Sequence, residues 1–238
     1  MSGLFDFLGS LPGYADNADT IRRLEQRHKL IIDPFRPLIE GARVLDLAAH
    51  DGRWSVALAR AGAARVIGVE ARPDLVDRFA RLQAATPEAA RVRMLCNDLF
   101  AEAQARVAAN ERFDVVALYG IFYHVMDHFR LLSLLRRLGP RLIIVDSEFI
   151  RADNAIIQVL KEEVTNPLNA VTDIAGLDHT VVGVPSHRAI EFMADALGYD
   201  LSWVDHALIL GDDRQGMKDY FRDGRKARGT CALTPAGA

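Results

Sequence analysis

Several short apolar runs in this chain end on or beside residues that can do chemistry. Asp46 lies near the end of Val44-Leu45-Asp46-Leu47, and Glu70 closes Val66-Ile67-Gly68-Val69. Asn97 and Asp98 follow the run from Val92 to Cys96, and Asp146-Ser147-Glu148 follows Leu142-Ile143-Ile144-Val145. Another run, Phe113 to Leu118, leads into Tyr119-Gly120-Ile121-Phe122-Tyr123-His124. An acid closing a strand such as the one before Glu70 can accept hydrogen bonds from both hydroxyls of a ribose. An imidazole of ordinary pKa near 6.5 can take a proton at neutral pH, so His124 could act on a second molecule or simply be structural. Asp146 and Glu148 could bind an amine, act as bases or cap a turn.

Such groups must be brought to one edge. Val44, Leu45 and Leu47 read as a short buried parallel strand. The loop Ala48-Ala49-His50-Asp51-Gly52 is tight and mostly small, and a helical pattern with Trp54, Val56, Ala57, Leu58 and Ala59 follows it. Arg65 to Val69 is a second strand, so the stretch is one βαβ unit. Its loop lacks the G-x-G-x-x-G of dinucleotide sites. Ala48 and His50 stand where glycines are expected, leaving Gly52, and a histidine would crowd a pyrophosphate. A nicotinamide-dependent oxidoreductase is therefore disfavoured against an adenosine ligand without phosphate, such as S-adenosylmethionine (SAM).

Val-Leu-Asp-Leu-Ala-Ala-His-Asp-Gly resembles the first motif of class I SAM-dependent methyltransferases, V-L-D-x-G-x-G-x-G. Phe113-Asp114-Val115-Val116 with Gly120, Tyr123 and His124 is similar to the fourth-strand motif of small-molecule and tRNA methyltransferases, nearest the branch with the wobble-uridine tRNA carboxymethyltransferase. The resemblance covers residues 40–150 well and 181–235 loosely. It implies a Rossmann-like, doubly wound, seven-stranded mixed sheet with helices on both faces and an antiparallel C-terminal pair, Leu201 to His206 with Arg228 to Leu233. It implies SAM as cofactor, with contacts at Asp46, Ala48, His50, Gly52, Glu70, Ala71, Asn97, Asp98, Leu99 and Tyr119. Asp98 would meet the adenine amino group and the Leu99 backbone a ring nitrogen, although Asp98 also suits the N-cap of a helix over 99–109. Tyr123, His124 and Glu148 are the candidate catalytic residues. The expected reaction is O- or N-methylation of a small molecule. A tRNA-modifying methyl- or carboxymethyltransferase and a non-catalytic SAM-binding protein are the alternatives.

The remaining chain supplies walls for the site. Residues 1–40 read as a helical lid, with Pro34 and Pro37 interrupting the helix. Its basic cluster, Arg22, Arg23, Arg27, His28 and Lys29, reads as a solvated face or as a holder of a substrate anion. The domain proper spans 41–238. An insertion at 151–185, with a predicted helix over 153–164, should shape the acceptor pocket, and the basic run Arg222, Arg225, Lys226 and Arg228 reads as solvated. With 238 residues, half of them hydrophobic, and a net charge of −3, the chain can build one sizeable core. It has no global field favouring nucleic acid. The two cysteines, Cys96 and Cys231, lie far apart and read as free buried thiols, with no metal site. No run approaches a membrane span. The opening residues lack the basic stretch of a secretory signal, so the cytoplasm is the expected location.

Overall fold

A computed structural model of the chain describes residues 3–166, 168–172, 174 and 176–237. After a 3-10 turn at Asp6–Ser10 come α1 (Ala18–Ile31), α2 (Arg36–Ile39), β1 (Arg43–Leu47), α3 (Arg53–Arg60), β2 (Arg65–Glu70), α4 (Pro73–Ala85), β3 (Val92–Cys96), α5 (Leu99–Ala108) and β4 (Val115–Tyr119). Then follow α6 (His128–Arg137), β5 (Leu142–Ile150), β6 (Ile157–Glu163), β7 (His179–Pro185), α7 (His187–Ala196), β8 (Tyr199–Trp203), α8 (Lys218–Phe221) and β9 (Lys226–Pro235). The main sheet has seven strands in the order β3-β2-β1-β4-β5-β9-β8. The first five run parallel, and β9 runs antiparallel between β5 and β8. This is the mixed, doubly wound sheet expected from the sequence.

Both faces of the sheet are covered, which is why the parallel strands are near-continuous apolar runs. Side chains alternate between two cores: Val44 and Val66 pack with Leu30, Ile31, Val56 and Leu58 on one side. Leu45, Leu47, Ile67 and Val69 pack with Leu131, Leu132 and Leu135 of α6 on the other. Each leucine or isoleucine so buried stabilises the fold by about 1.5–3 kcal/mol. The order of strands reverses between β1 and β4, and in such sheets a crevice opens there, beyond the carboxyl ends of the strands.

Three local expectations are corrected. Residues 157–163 form a strand, not part of a helix: β6 pairs with β7 as a separate antiparallel ribbon, with Val159 opposite Gly183. The ribbon is fixed where Gly183 donates its N–H to Val125 O at 3.0 Å and its carbonyl accepts from His128 Nε2 at 3.0 Å. A Cβ at Gly183 would lie 2.8 Å from the His128 ring, so a bare backbone lets the ribbon come this close. Cys96, last in β3, is exposed, while Cys231 is buried. Arg228, read as solvated, is buried within β9. Asn17 caps α1 by accepting from the Thr20 N–H. Among the described residues no helix is long and apolar enough to cross a membrane.

Candidate active site

The loop after β1 is the sharpest local feature. Ala48 and His50 both adopt left-handed backbone, with φ of 59° and 56°, and Gly52 has φ of 86°. Left-handed alanine is disfavoured by about 1–2 kcal/mol, so the fold imposes this turn on residues that do not prefer it. The surrounding hydrogen bonds explain how. Ala49 N–H donates to Val69 O, Gly52 N–H to Ala49 O, and His50 N–H to Glu70 Oε2, each at 2.9 Å. These amides are therefore spent inside the protein and do not form an open nest for a diphosphate. Gly52 has a second role, since a Cβ there would meet the Phe79 ring at 2.6 Å.

Glu70, at the end of β2, also accepts from Arg72 N–H at 3.0 Å through Oε1. Two amides thus fix the carboxylate, and with about four lone-pair sites on a carboxylate two remain for a ligand. Asp98 uses Oδ1 to accept from Phe100 and Ala101 N–H, both at 2.9 Å. It is the cap of α5, and its Oδ2 is left for another donor. Asn97 braces the turn, donating to Glu102 Oε2 at 2.8 Å. The first amides of a helix have no intrahelical acceptor, which leaves Leu99 N–H available beside Asp98.

A cleft of about 370 Å³ brings these strand ends together; Ala48, His50, Glu70, Ala71, Asn97, Asp98, Leu99, Tyr119, Tyr123 and His124 all line it. Asp46, Gly52 and Glu148 are not among its lining residues. Asp46 is buried and accepts from Ser55 Oγ at 2.6 Å. Burial pushes its carboxyl up to about 7, against the Ser55 hydrogen bond, with Glu70 adding to the rise. Glu148 is engaged by Arg222 and Lys226. Tyr119 donates its hydroxyl to Ile31 O at 3.0 Å, tying β4 to α1.

At the far end of the cleft His124 lies 4.0 Å from the Tyr123 ring, centre to centre. Its Nδ1 is 2.8 Å from Glu162 Oε2, and Glu162 belongs to the inserted ribbon. A carboxylate at Nδ1 favours the proton there and leaves Nε2 as an acceptor. Burial lowers the His124 pKa below its ordinary value, with Glu162 pulling the other way and Arg228 reinforcing the fall. The imidazole is thus neutral at pH 7. Glu162 also accepts from Ala170 N–H at 3.0 Å. Arg72 donates to the carbonyls of Val164 and Asn169 at 3.3 and 3.1 Å, so the loop after β6 lies over the cleft, where Leu168 and Asn169 line it.

Sequence reasoning did not single out Glu162 or Arg72, and it read Arg228 as part of a solvated basic run. Glu162 sits in Lys161-Glu162-Glu163, a charge run like any solvated face. Arg228 left one signal: it interrupts Ala227-Arg228-Gly229-Thr230-Cys231, and a charge inside a strand otherwise buried needs a partner. That partner is Asp146, 2.7 Å away.

The family model described as a methyltransferase domain matches residues 44–140. No curated protein matches the chain by sequence. Among solved structures, the chain is similar to the N-terminal domain of EvdMO1 determined in the presence of SAH and D-fucose, at 18% identity, covering 92% of this chain and 84% of that one, with a TM-score of 0.64. It is similar to the glycopeptide N-methyltransferase MtfA, at 14% identity, 90% of each chain and a TM-score of 0.56. It also resembles the Burkholderia thailandensis 1,6-didemethyltoxoflavin-N1-methyltransferase with its substrate and S-adenosylhomocysteine bound, at 15% identity, 94% and 81% coverage and a TM-score of 0.53. The fold is that of the Rossmann-like methyltransferases.

Proposed function

We propose that this chain is a SAM-dependent methyltransferase acting on an oxygen or nitrogen of a small-molecule acceptor. The observation that carries the reading is the cleft where the left-handed loop at Ala48 and His50, the Glu70 carboxylate and the Asp98 turn meet the His124–Glu162 pair. The methyltransferase domain match supports it, as do neighbours whose titles name small-molecule methylation.

The pocket fits the cofactor in three places. Glu70 has lone pairs left for two ribose hydroxyls, Asp98 Oδ2 and Leu99 N–H can read an adenine edge, and the spent amides of the loop offer nothing to a diphosphate. SAM supplies a methyl group already activated on a sulfonium, so alignment does most of the work, and holding reactants in line contributes roughly 7–11 kcal/mol. The chain's own part is to orient the acceptor and to take its proton. His124 Nε2 accepts that proton while Glu162 holds Nδ1–H and steadies the imidazolium that forms. General-base assistance of this kind contributes roughly 10²–10⁴-fold. The overlying residues Leu168, Asn169, Ala170 and Val171 narrow the access of water.

Calorimetry tests the cofactor reading: SAM and SAH should bind at micromolar levels and NAD more weakly. Tighter binding of NAD would refute it. A mass-spectrometric screen for a methylated product, with metabolite extract and tRNA as separate acceptor pools, tests the acceptor class. Product confined to tRNA would overturn the small-molecule assignment.

A further inference from the structure

Behind the reactive end of the cleft runs a row of alternating charges: Arg27, Asp146, Arg228, Asp219 and Arg23. Asp146 Oδ1 accepts from Arg27 Nη2 at 2.5 Å and from Arg228 Nη1 at 2.7 Å. Asp219 Oδ2 accepts from Arg228 Nε at 2.8 Å and from Arg23 Nη2 at 2.7 Å. All three arginines line the cleft, and neither aspartate does. The row has three cations and two anions, and its uncompensated positive charge faces the ligand side.

The donors are not used up. A guanidinium carries five N–H bonds. Arg228 spends three, on Asp219, Asp146 and the Tyr123 hydroxyl, which it meets at 3.3 Å. Arg27 spends two, on Tyr220 and Asp146, and Arg23 spends three, on both Asp219 carboxylate oxygens and the Gly216 carbonyl, which leaves its Nε–H and one Nη2–H. Its guanidinium lies 5.1 Å from the centre of the Trp54 ring, beside the cofactor loop. Arg228 lies at the other end. Its Nη1 would be 3.8 Å from a Cβ on Gly120, and its guanidinium is 5.5 Å from the centre of the Tyr123 ring. Tyr123 in turn touches His124. A cationic wall beside a sulfonium is unfavourable unless an anion comes between them.

We propose that the acceptor is a carboxylic acid whose carboxylate is held by Arg228 and Arg23, with its nucleophilic O–H or N–H presented to His124. This rests on the methyltransferase reading above and narrows its acceptor class. Arginine suits the task because its planar fork matches a carboxylate two bonds at a time. The buried Asp146 and the half-buried Asp219 hold the forks in place before the acceptor arrives.

The test uses acids and their neutral amides as probes. Acetate, acetamide, benzoate, benzamide and inorganic phosphate are titrated into the protein, with and without saturating SAH, and followed by ligand-observed NMR. At least one acid should bind tenfold or more tightly than its amide and should keep that preference when SAH is bound. Arg23→Met, at the exposed end of the row, should reduce the ratio at least threefold and leave SAH affinity within twofold. Arg228→Lys should reduce it further. Equal binding of acids and amides by the unaltered protein overturns the proposal without any variant. So does displacement of both acids by SAH, which would assign the row to the cofactor's own carboxylate. Phosphate binding tighter than either acid would move the site to a phosphate-bearing acceptor and would equally overturn it. If SAH fails to bind at all, the cofactor reading falls, while the acid-to-amide ratio without SAH still decides this one.

Discussion

Glu70 and His124 show how one side chain can be committed to the fold and still be open to a ligand. Glu70 holds the His50 and Arg72 amides. Replacing it with alanine therefore removes the proposed ribose acceptors and the fastening of the loop together. With charge-assisted hydrogen bonds at about 1.5–3 kcal/mol each, Glu70→Ala should weaken SAH binding at least tenfold by calorimetry; an unchanged dissociation constant in a folded variant would remove Glu70 from the ribose. His124→Asn should lower turnover by roughly 10²–10⁴-fold and leave SAM affinity within a few-fold. Glu162 adds a sign that packing alone would not give. It raises the His124 pKa against the larger effect of burial, so Glu162→Gln should move the acidic limb of the pH–rate profile to lower pH. A limb that stays in place or moves upward would separate Glu162 from the base. Glu70, Asp98 and His124 were legible in the sequence because each closes an apolar run, and strand ends meet at one edge. Glu162 was not legible, because its partner lies 38 positions away and local pattern does not show which ribbon folds over which strand.

The elements tell a similar story. The βαβ unit was readable because its period, its loop and its closing acid agree, and even the missing glycines were informative. Ala48 and His50 occupy the left-handed positions that glycines would take, so the backbone path was written in the motif and not in the residue types. Gly52 is the position where the residue itself matters. Gly52→Ala would combine a positive φ with a contact of 2.6 Å to Phe79. Left-handed strain and overpacking together cost about 2–4 kcal/mol. At about 2–4 °C per kcal/mol for a chain of this size, thermal denaturation should show a fall on the order of 10 °C, whereas a change under 2 °C, within the spread of ordinary surface substitutions, would mean that Phe79 gives way. The ribbon of β6 and β7 was misread as helix for a physical reason. Ile157-Gln158-Val159-Leu160-Lys161-Glu162-Glu163 alternates between exposed and half-buried positions, but its half-buried face is Gln158, Leu160 and Glu162 while Ile157 and Val159 are exposed, so the apolar residues do not mark the period of two. Its partner strand begins at His179, beyond the reach of a local window. What makes it a strand is the pairing with β7 and the anchorage of Gly183 on residues 122–128.

Across the whole molecule, the N-terminal helix is fastened to the C-terminal third through buried charge, and charge of two kinds gives the fold opposite pH responses. Burial pushes the Asp146 carboxyl up, but Arg27 and Arg228 outweigh it and hold its pKa well below the usual carboxylate range. That stabilisation is fully present above the unfolded carboxylate pKa near 4 and is lost only as pH falls through the depressed value, so it is constant from pH 5 to 8. Asp46 behaves oppositely. With its folded pKa raised to about 7, the native state binds the proton more tightly than the unfolded chain, and stability falls as pH rises between about 4 and 7. Each pH unit in that window costs about 1.4 kcal/mol. The buried His128 and the half-buried His124, His187 and His206 are all lowered by loss of solvent. Their contribution is lost as pH falls below the ordinary histidine value, so it opposes the Asp46 contribution over the same acid range. Asp46→Asn separates them. An amide keeps an oxygen for the Ser55 hydroxyl and cannot ionise, so the variant should gain on the parent as pH rises from 5 to 8, by on the order of 2–3 kcal/mol in denaturant titrations. Asp146→Asn should lose about 3–5 kcal/mol by stranding two buried guanidiniums, and by a similar amount at both pH values. If the difference between Asp46→Asn and the parent were the same at pH 5 and pH 8, Asp46 would be ionised throughout that range and burial would not be holding its proton.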